Sequence, residues 1–234
     1  MSEYEYVRKN YESLLREIGE YESLYGRKIT VVAVTKSGTD DEVTALASAG
    51  ASDLAENRPT ELKRRAELLA NVGYTPRFHE IGNLQRNKVK LVIDKAALIH
   101  SVGKYELAEE ISRQAVKLGI TSDVLIEVNS AREELKGGAY PEDAIELFLK
   151  VKELPNISVK GLMTMGPALG NAEDMRPYFR LTKEIFDKIN EEHGFDGPGI
   201  LSMGMSDSYA AAIEEGSTLI RVGRKLFEKT KGDR

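Results

Sequence analysis

Eight short apolar runs recur along the chain, separated by longer stretches of mixed polarity. They fall at 29–36, 51–57, 76–82, 97–102, 122–129, 157–165, 199–205 and 218–223, and they read as strands. The stretches between them carry helix signals. Thr39-Asp-Asp-Glu42 has the form of a capping box, opening a helix that ends near Gly50. Pro141 suits the first turn of another helix, where a missing N–H costs nothing. Ser206 suits an N-cap for 207–215, with Gly216 closing that helix. Alternating strands and helices imply a parallel sheet. Eight repeats predict an α/β fold: one closed (β/α)8 barrel, a TIM barrel, spanning 1–234 as a single domain. The rival is an open doubly wound sheet, but no glycine-rich dinucleotide fingerprint follows the first strand. Residues 2–25 carry Tyr6, Tyr11, Leu14, Leu15, Ile18 and Tyr21 at helical spacing, which predicts an extra N-terminal helix.

Composition narrows the function classes. The 234 residues are 41% hydrophobic, enough for one sizeable core, and no Ser/Pro/Gly-rich linker marks a domain boundary. The net charge of −5 comes from residues of both signs scattered along the chain. That argues against nucleic acid as the main partner, because such proteins usually carry a basic stripe. The absence of cysteine excludes disulfides, thiolate catalysis and sulfur-based metal sites, and it fits a cytoplasmic protein. The start Met1-Ser-Glu-Tyr-Glu-Tyr6 is polar and acidic, unlike a secretory signal. No apolar run approaches the ~18 residues of a membrane span.

Barrel chemistry sits at the C-terminal ends of the strands. On the boundaries above, Lys36 ends strand one, Asn57 strand two, Gly82 strand three, Asn129 strand five, Ser206 strand seven and Gly223 strand eight. Closure makes strand eight the neighbour of strand one, so Lys36 faces the loops after strands seven and eight, a frequent phosphate position. A lysine beside apolar walls loses some of its charge, and the neutral amine attacks carbonyls. Ser206 at a helix start offers free N–H groups to a phosphate, and Gly223 lets backbone approach a ligand. Arg221 lies inside an apolar strand and needs an acceptor, either a ligand or a carboxylate. Together these features suggest a phosphorylated aldehyde, pyridoxal 5′-phosphate (PLP). Plainer readings stand beside each. A strand-end lysine is usually a solvated charge, a helix-start serine only a cap. Met163, Met165, Met203 and Met205 suit barrel packing. His79, His100 and His193 are too dispersed for a metal site, and His79 and Glu80 suit hydrogen-bonded structural roles.

The motifs carry a resemblance. Val32-Ala-Val-Thr-Lys36, Glu56-Asn57, His79 with Ile81-Gly82, Leu84-Gln85, Asn87-Lys88, Val128-Asn129, Glu133-Glu134, Lys136 and Gly161-Leu-Met163 occur in order. Leu201-Ser-Met-Gly-Met-Ser206, Ala211-Ala-Ile213, Gly216-Ser217 and Arg221-Val-Gly223 follow them. The chain resembles the pyridoxal phosphate homeostasis proteins (the YggS/PROSC family), whose fold is similar to the barrel domain of alanine racemases. The resemblance implies that Lys36 holds PLP as an internal aldimine and that Arg221 faces the pyridine nitrogen. It implies that Ser206, Gly223 and Arg224 hold the phosphate, that Asn57 lies near the ring, and that Met203, within the most specific stretch, joins the cofactor-binding set. The chain departs from the family pattern at Arg58, Glu80, Arg224 and Glu228.

A cation at the pyridine nitrogen disfavours its protonation and weakens the electron sink. Alanine racemases also use a tyrosine from a second domain, for which a chain ending at Arg234 leaves no room. The expectation is therefore a PLP carrier with little or no catalysis, a monomer or weak dimer serving PLP-dependent apoenzymes. A low-activity PLP-dependent amino-acid racemase is the alternative. A class I aldolase, forming its imine with a sugar phosphate, is a third reading.

Overall fold

The computed structural model describes residues 4–167 and 170–229. In chain order it contains α1 (Glu5–Tyr25), β1 (Thr30–Val34), α2 (Asp40–Ser48), β2 (Asp53–Glu56), α3 (Pro59–Asn71) and β3 (Arg77–Glu80). A 3-10 turn, Arg86–Leu91, leads to β4 (Ala96–Val102), α4 (Tyr105–Leu118), β5 (Ser122–Glu127), α5 (Ala144–Lys152) and β6 (Ile157–Met163). The chain continues through α6 (Ala172–Glu192), β7 (Ile200–Ser202), α7 (Tyr209–Glu214), β8 (Leu219–Val222) and α8 (Arg224–Phe227). The strands close into a parallel barrel in sequence order, β8 pairing with β1 through Val32↔Arg221 and Ala33↔Val222. The TIM-barrel expectation holds, and the open sheet is ruled out by that closure.

Two apolar clusters explain the continuous apolar runs. Val32, Val34, Ala55, Leu98, Leu125, Met163 and Leu219 fill the barrel interior. Their alternate neighbours, including Ala33, Leu54, Phe78, Ile99, Val124, Leu201 and Ile220, join a larger cluster with the helices outside. A parallel strand covered on both faces has no polar side to alternate with.

The N-terminal helix forms as expected, residues 2 and 3 of its anticipated span lying outside the described ones. It buries Tyr6, Tyr11, Leu14 and Ile18, while Leu15 is left exposed because it points around the helix from that stripe. Thr39 makes the capping box with Glu42: its side chain accepts from the Glu42 amide at 3.3 Å, and Glu42 accepts from the Thr39 amide at 2.6 Å. Such a cap contributes about 1 kcal/mol.

Other boundaries differ. Most strands stop before the expected apolar runs do; β7 is only Ile200–Ser202. The residue just beyond can still bond across, as the Met203 amide does to the Leu219 carbonyl, and those further on form the barrel mouth. Pro141 sits in a turn ahead of α5, whose N-cap position is Asp143. Helix α7 starts at Tyr209 behind Ser208, so Ser206 is not its N-cap. Among the described residues no helix is long and apolar enough to cross a membrane.

Candidate functional site

Lys36 lies in the turn after β1, two residues beyond its last strand position, and is exposed. This corrects the picture of an amine closing the strand against apolar walls. The turn itself is rigidly held. Arg65, on α3, donates to the Thr35 carbonyl at 2.8 Å and to the Gly38 carbonyl at 2.6 Å, bracketing Lys36 and Ser37. Glu56 at the end of β2 lies 3.3 Å from Arg65 Nε and accepts from the Thr35 hydroxyl at 2.5 Å. Arg65 is 5% exposed and Glu56 1%. Sequence reasoning missed Arg65. Its helical position reads as a solvated charge, although its place one turn after Leu62 and before Leu69, on the buried face of α3, was a usable signal.

The β1–β2 pairing runs to Val34↔Ala55, two residues before Lys36 on one strand and Asn57 on the other. Asn57 is exposed, and its backbone is fixed by Gly82 of the next strand's loop. A Cβ at Gly82 would stand 2.1 Å from the Asn57 carbonyl oxygen, so only glycine permits the two loops to meet.

Ser206 and Gly223 come together. The Gly223 amide donates to Ser206 Oγ at 3.2 Å, joining the loops after β7 and β8. A Cβ on Gly223 would stand 3.0 Å from the Val34 carbonyl, which places this pair beside the end of β1. The hydroxyl proton of Ser206 is left to serve an acceptor such as a phosphate oxygen. The Arg224 side chain is exposed, and its guanidinium is bonded to Asp207, the residue after Ser206.

Arg221 points into the barrel at 3% exposure. It donates from Nη1 to Ser202 Oγ and from Nη2 to the Thr164 carbonyl at 3.0 Å. Among the described residues no carboxylate forms an ion pair with it, which answers the structural alternative raised by the sequence. Burial pushes its pKa down to about 10, with Glu127 acting the other way. The guanidinium therefore stays charged at neutral pH, with N–H groups to spare for a ligand.

Met203 is a correction. It is fully buried in the larger cluster outside the barrel, among residues of the surrounding helices. Successive side chains of a strand face opposite sides, so Ser202 takes the interior and Met203 the exterior. It packs rather than lines a ligand pocket.

Sequence reasoning also passed over Glu127. It projects from the end of β5 into a cavity of about 410 Å³ that Ser101, Lys104 and Lys136 also line. Burial raises its pKa to about 7, partly offset by Arg221. The residues fit PLP. There is an amine at the mouth, a buried cation without an ion-paired carboxylate, and a serine–glycine pair whose closeness to β1 leaves little room for an added side chain.

A family model described as the N-terminal domain of alanine racemase matches residues 9–230. Over 176 residues the chain is 48% identical to the pyridoxal phosphate homeostasis protein of Aquifex aeolicus, covering 75% of this chain and 76% of that one. It is 31% identical to the protein of the same name from Helicobacter pylori, over 95% of this chain and 98% of that one. Among solved structures, PipY of Synechococcus elongatus with PLP bound superimposes with a TM-score of 0.82 at 25% identity, over 95% of this chain and 100% of that one.

Proposed function

The chain belongs to the alanine racemase N-terminal domain family and to the pyridoxal phosphate homeostasis proteins, and from that premise we propose that it holds PLP at the barrel mouth as a carrier with little or no catalysis. Lys36 is the amine that bonds the aldehyde carbon. Arg221 donates to the pyridine nitrogen. Ser206 donates its hydroxyl proton to the phosphate, joined by backbone N–H groups around Gly223 and Arg224. Asn57 flanks the ring. The reading extends to a single-domain cytoplasmic protein, monomer or weak dimer, that delivers PLP to apoenzymes.

The observation that carries it is the state of Arg221. When bound, PLP supplies an electron sink whose strength follows the protonation of its ring nitrogen. A guanidinium only donates, so the nitrogen it meets must be an unprotonated acceptor. Arg221 makes no ion pair with a carboxylate among the described residues, its hydrogen bonds going to neutral acceptors, so it opposes a second positive charge nearby. The sink stays weak, and the site holds the group without strongly activating a substrate.

The test is a visible spectrum of the purified protein, followed by a racemase and transaminase screen over the common amino acids. A yellow protein with negligible turnover supports the carrier. Rapid turnover of any amino acid, lost in Lys36→Ala, would replace it with the racemase. A protein that remains colourless with added PLP would discard both.

A further inference from the structure

A column of buried polar groups crosses the barrel from its N-terminal end to Arg221. Asp53, the first residue of β2, lies 3.0 Å from His79 Nε2. His79 Nδ1 lies 2.9 Å from His100 Nε2. His100 Nδ1 lies 3.1 Å from Ser202 Oγ, which receives Arg221 Nη1. All five side chains are nearly inaccessible, Asp53 at 3%, His79 at 4%, His100 and Ser202 at 0% and Arg221 at 3%. Helix packing does not call for these contacts, because they lie inside the barrel and join β2, β3 and β4 to β7 and β8 across it.

Hydrogen-bond chemistry gives the column one direction. Burial alone would raise the Asp53 pKa, but bonds from His79, Arg77 and Ser52 outweigh it and hold the carboxyl well below its ordinary range. Asp53 is therefore acceptor-only, and His79 must carry its proton on Nε2. A lone pair at His79 Nδ1 in turn obliges His100 to carry its proton on Nε2. Burial, reinforced by the charge of Arg221, holds the His100 pKa well below 6.5, so His100 is neutral and presents a lone pair at Nδ1. The Ser202 hydroxyl donates to that lone pair and keeps its oxygen free to accept from Arg221. A polar group left unpaired at this depth would cost about 1–3 kcal/mol, enough to enforce the pattern.

We propose that Asp53, His79 and His100 are positioning residues for Arg221. The carboxylate at the far end of the barrel sets the tautomer of both histidines. Through Ser202 it holds the guanidinium in place, with its remaining N–H groups aimed at a ligand ring nitrogen in the mouth. The proposal rests on the reading of Arg221 given above, and its two tests separate the failures.

The first test needs no ligand. Imidazole nitrogen NMR of the ligand-free protein at neutral pH, assigned with His79→Phe, His100→Phe and His193→Phe variants, should show His79 and His100 both neutral and protonated on Nε2. A proton on Nδ1 of either ring would overturn the column's direction whatever the protein binds. The second test compares PLP with the analogue whose ring nitrogen is replaced by carbon, in the wild type, His100→Phe and Ser202→Ala. Ser202→Ala removes one oxygen and serves if the larger change does not fold. The preference for PLP over the analogue should fall by roughly tenfold in the variants, the scale of one hydrogen bond from a charged donor. Equal weakening of both ligands would make the residues merely structural and overturn the proposal. Wild type that binds neither would instead overturn the PLP reading and leave the NMR result as the test of the column.

Discussion

Arg65 donates to the carbonyl oxygen of Thr35 at 2.8 Å, immediately before Lys36 in the chain. The same guanidinium holds Gly38 on the far side. Its counter-ion Glu56 is itself buried, so removing the arginine strands a carboxylate. Arg65→Met should lower stability by about 3 kcal/mol, the scale of a broken buried pair. It should also weaken PLP by releasing the Lys36 turn. Urea unfolding and PLP titration measure the two effects, and unchanged PLP affinity would show that the clamp does not serve the lysine.

Lys36 should carry the cofactor covalently. After borohydride treatment of the PLP-loaded protein, peptide mass mapping should place the pyridoxyl group on the peptide containing Lys36. Label on Lys88 or Lys136 alone would reassign the site.

Ser206→Ala should weaken PLP by roughly 1–2 kcal/mol, the contribution of a hydrogen bond to a charged group. Gly223 would lose the acceptor of its amide in the same change. Pyridoxal without phosphate should bind the wild type poorly. Equal affinity for pyridoxal and PLP, measured by absorbance titration, would show that the phosphate sits elsewhere.

Glu80 should make stability depend on pH. Burial, with a contribution from Glu56, raises its pKa from 4.5 to about 7, although the Gly82 amide opposes the shift. One of its oxygens has no hydrogen-bond partner among the described residues. The folded chain therefore binds this proton more tightly than the unfolded chain. The associated stability is complete below about pH 4.5 and is lost as the pH rises through 7, by about 3 kcal/mol in total. Glu127, also raised to about 7, acts in the same direction. Glu80→Gln should flatten part of this slope in denaturant unfolding of the ligand-free protein. An unchanged slope would exclude Glu80 as its source.

Much of the fold was legible in the residues because strand burial is a local pattern. Val31 to Val34 is apolar at every position, and only a strand covered on both faces requires that. Thr39 and Glu42 sit three residues apart, so their cap could be read without any distant partner. The motif around Arg221 and the lysine at position 36 were found for the same reason: a cation next to an apolar run stands out in one dimension.

Tertiary structure decided the rest. Met203 and Ser202 are adjacent in sequence, yet the strand sends one to the helices and the other to the barrel interior, and only the closed sheet says which. Ser206 looked like a helix cap because its neighbours allow one. The actual helix begins at Tyr209, and a glycine on the next strand's loop takes the serine instead. Asp53, His79, His100, Ser202 and Arg221 are spread over most of the chain. Their meeting depends on closure, which turns five strand positions into neighbours. The sequence by itself determined the elements, their order and the chemical groups at hand, because these follow from short-range periodicity and residue type. Which groups touch, and which are stripped of water, was decided by the barrel, because hydrogen bonding and desolvation depend on distances in space rather than along the chain.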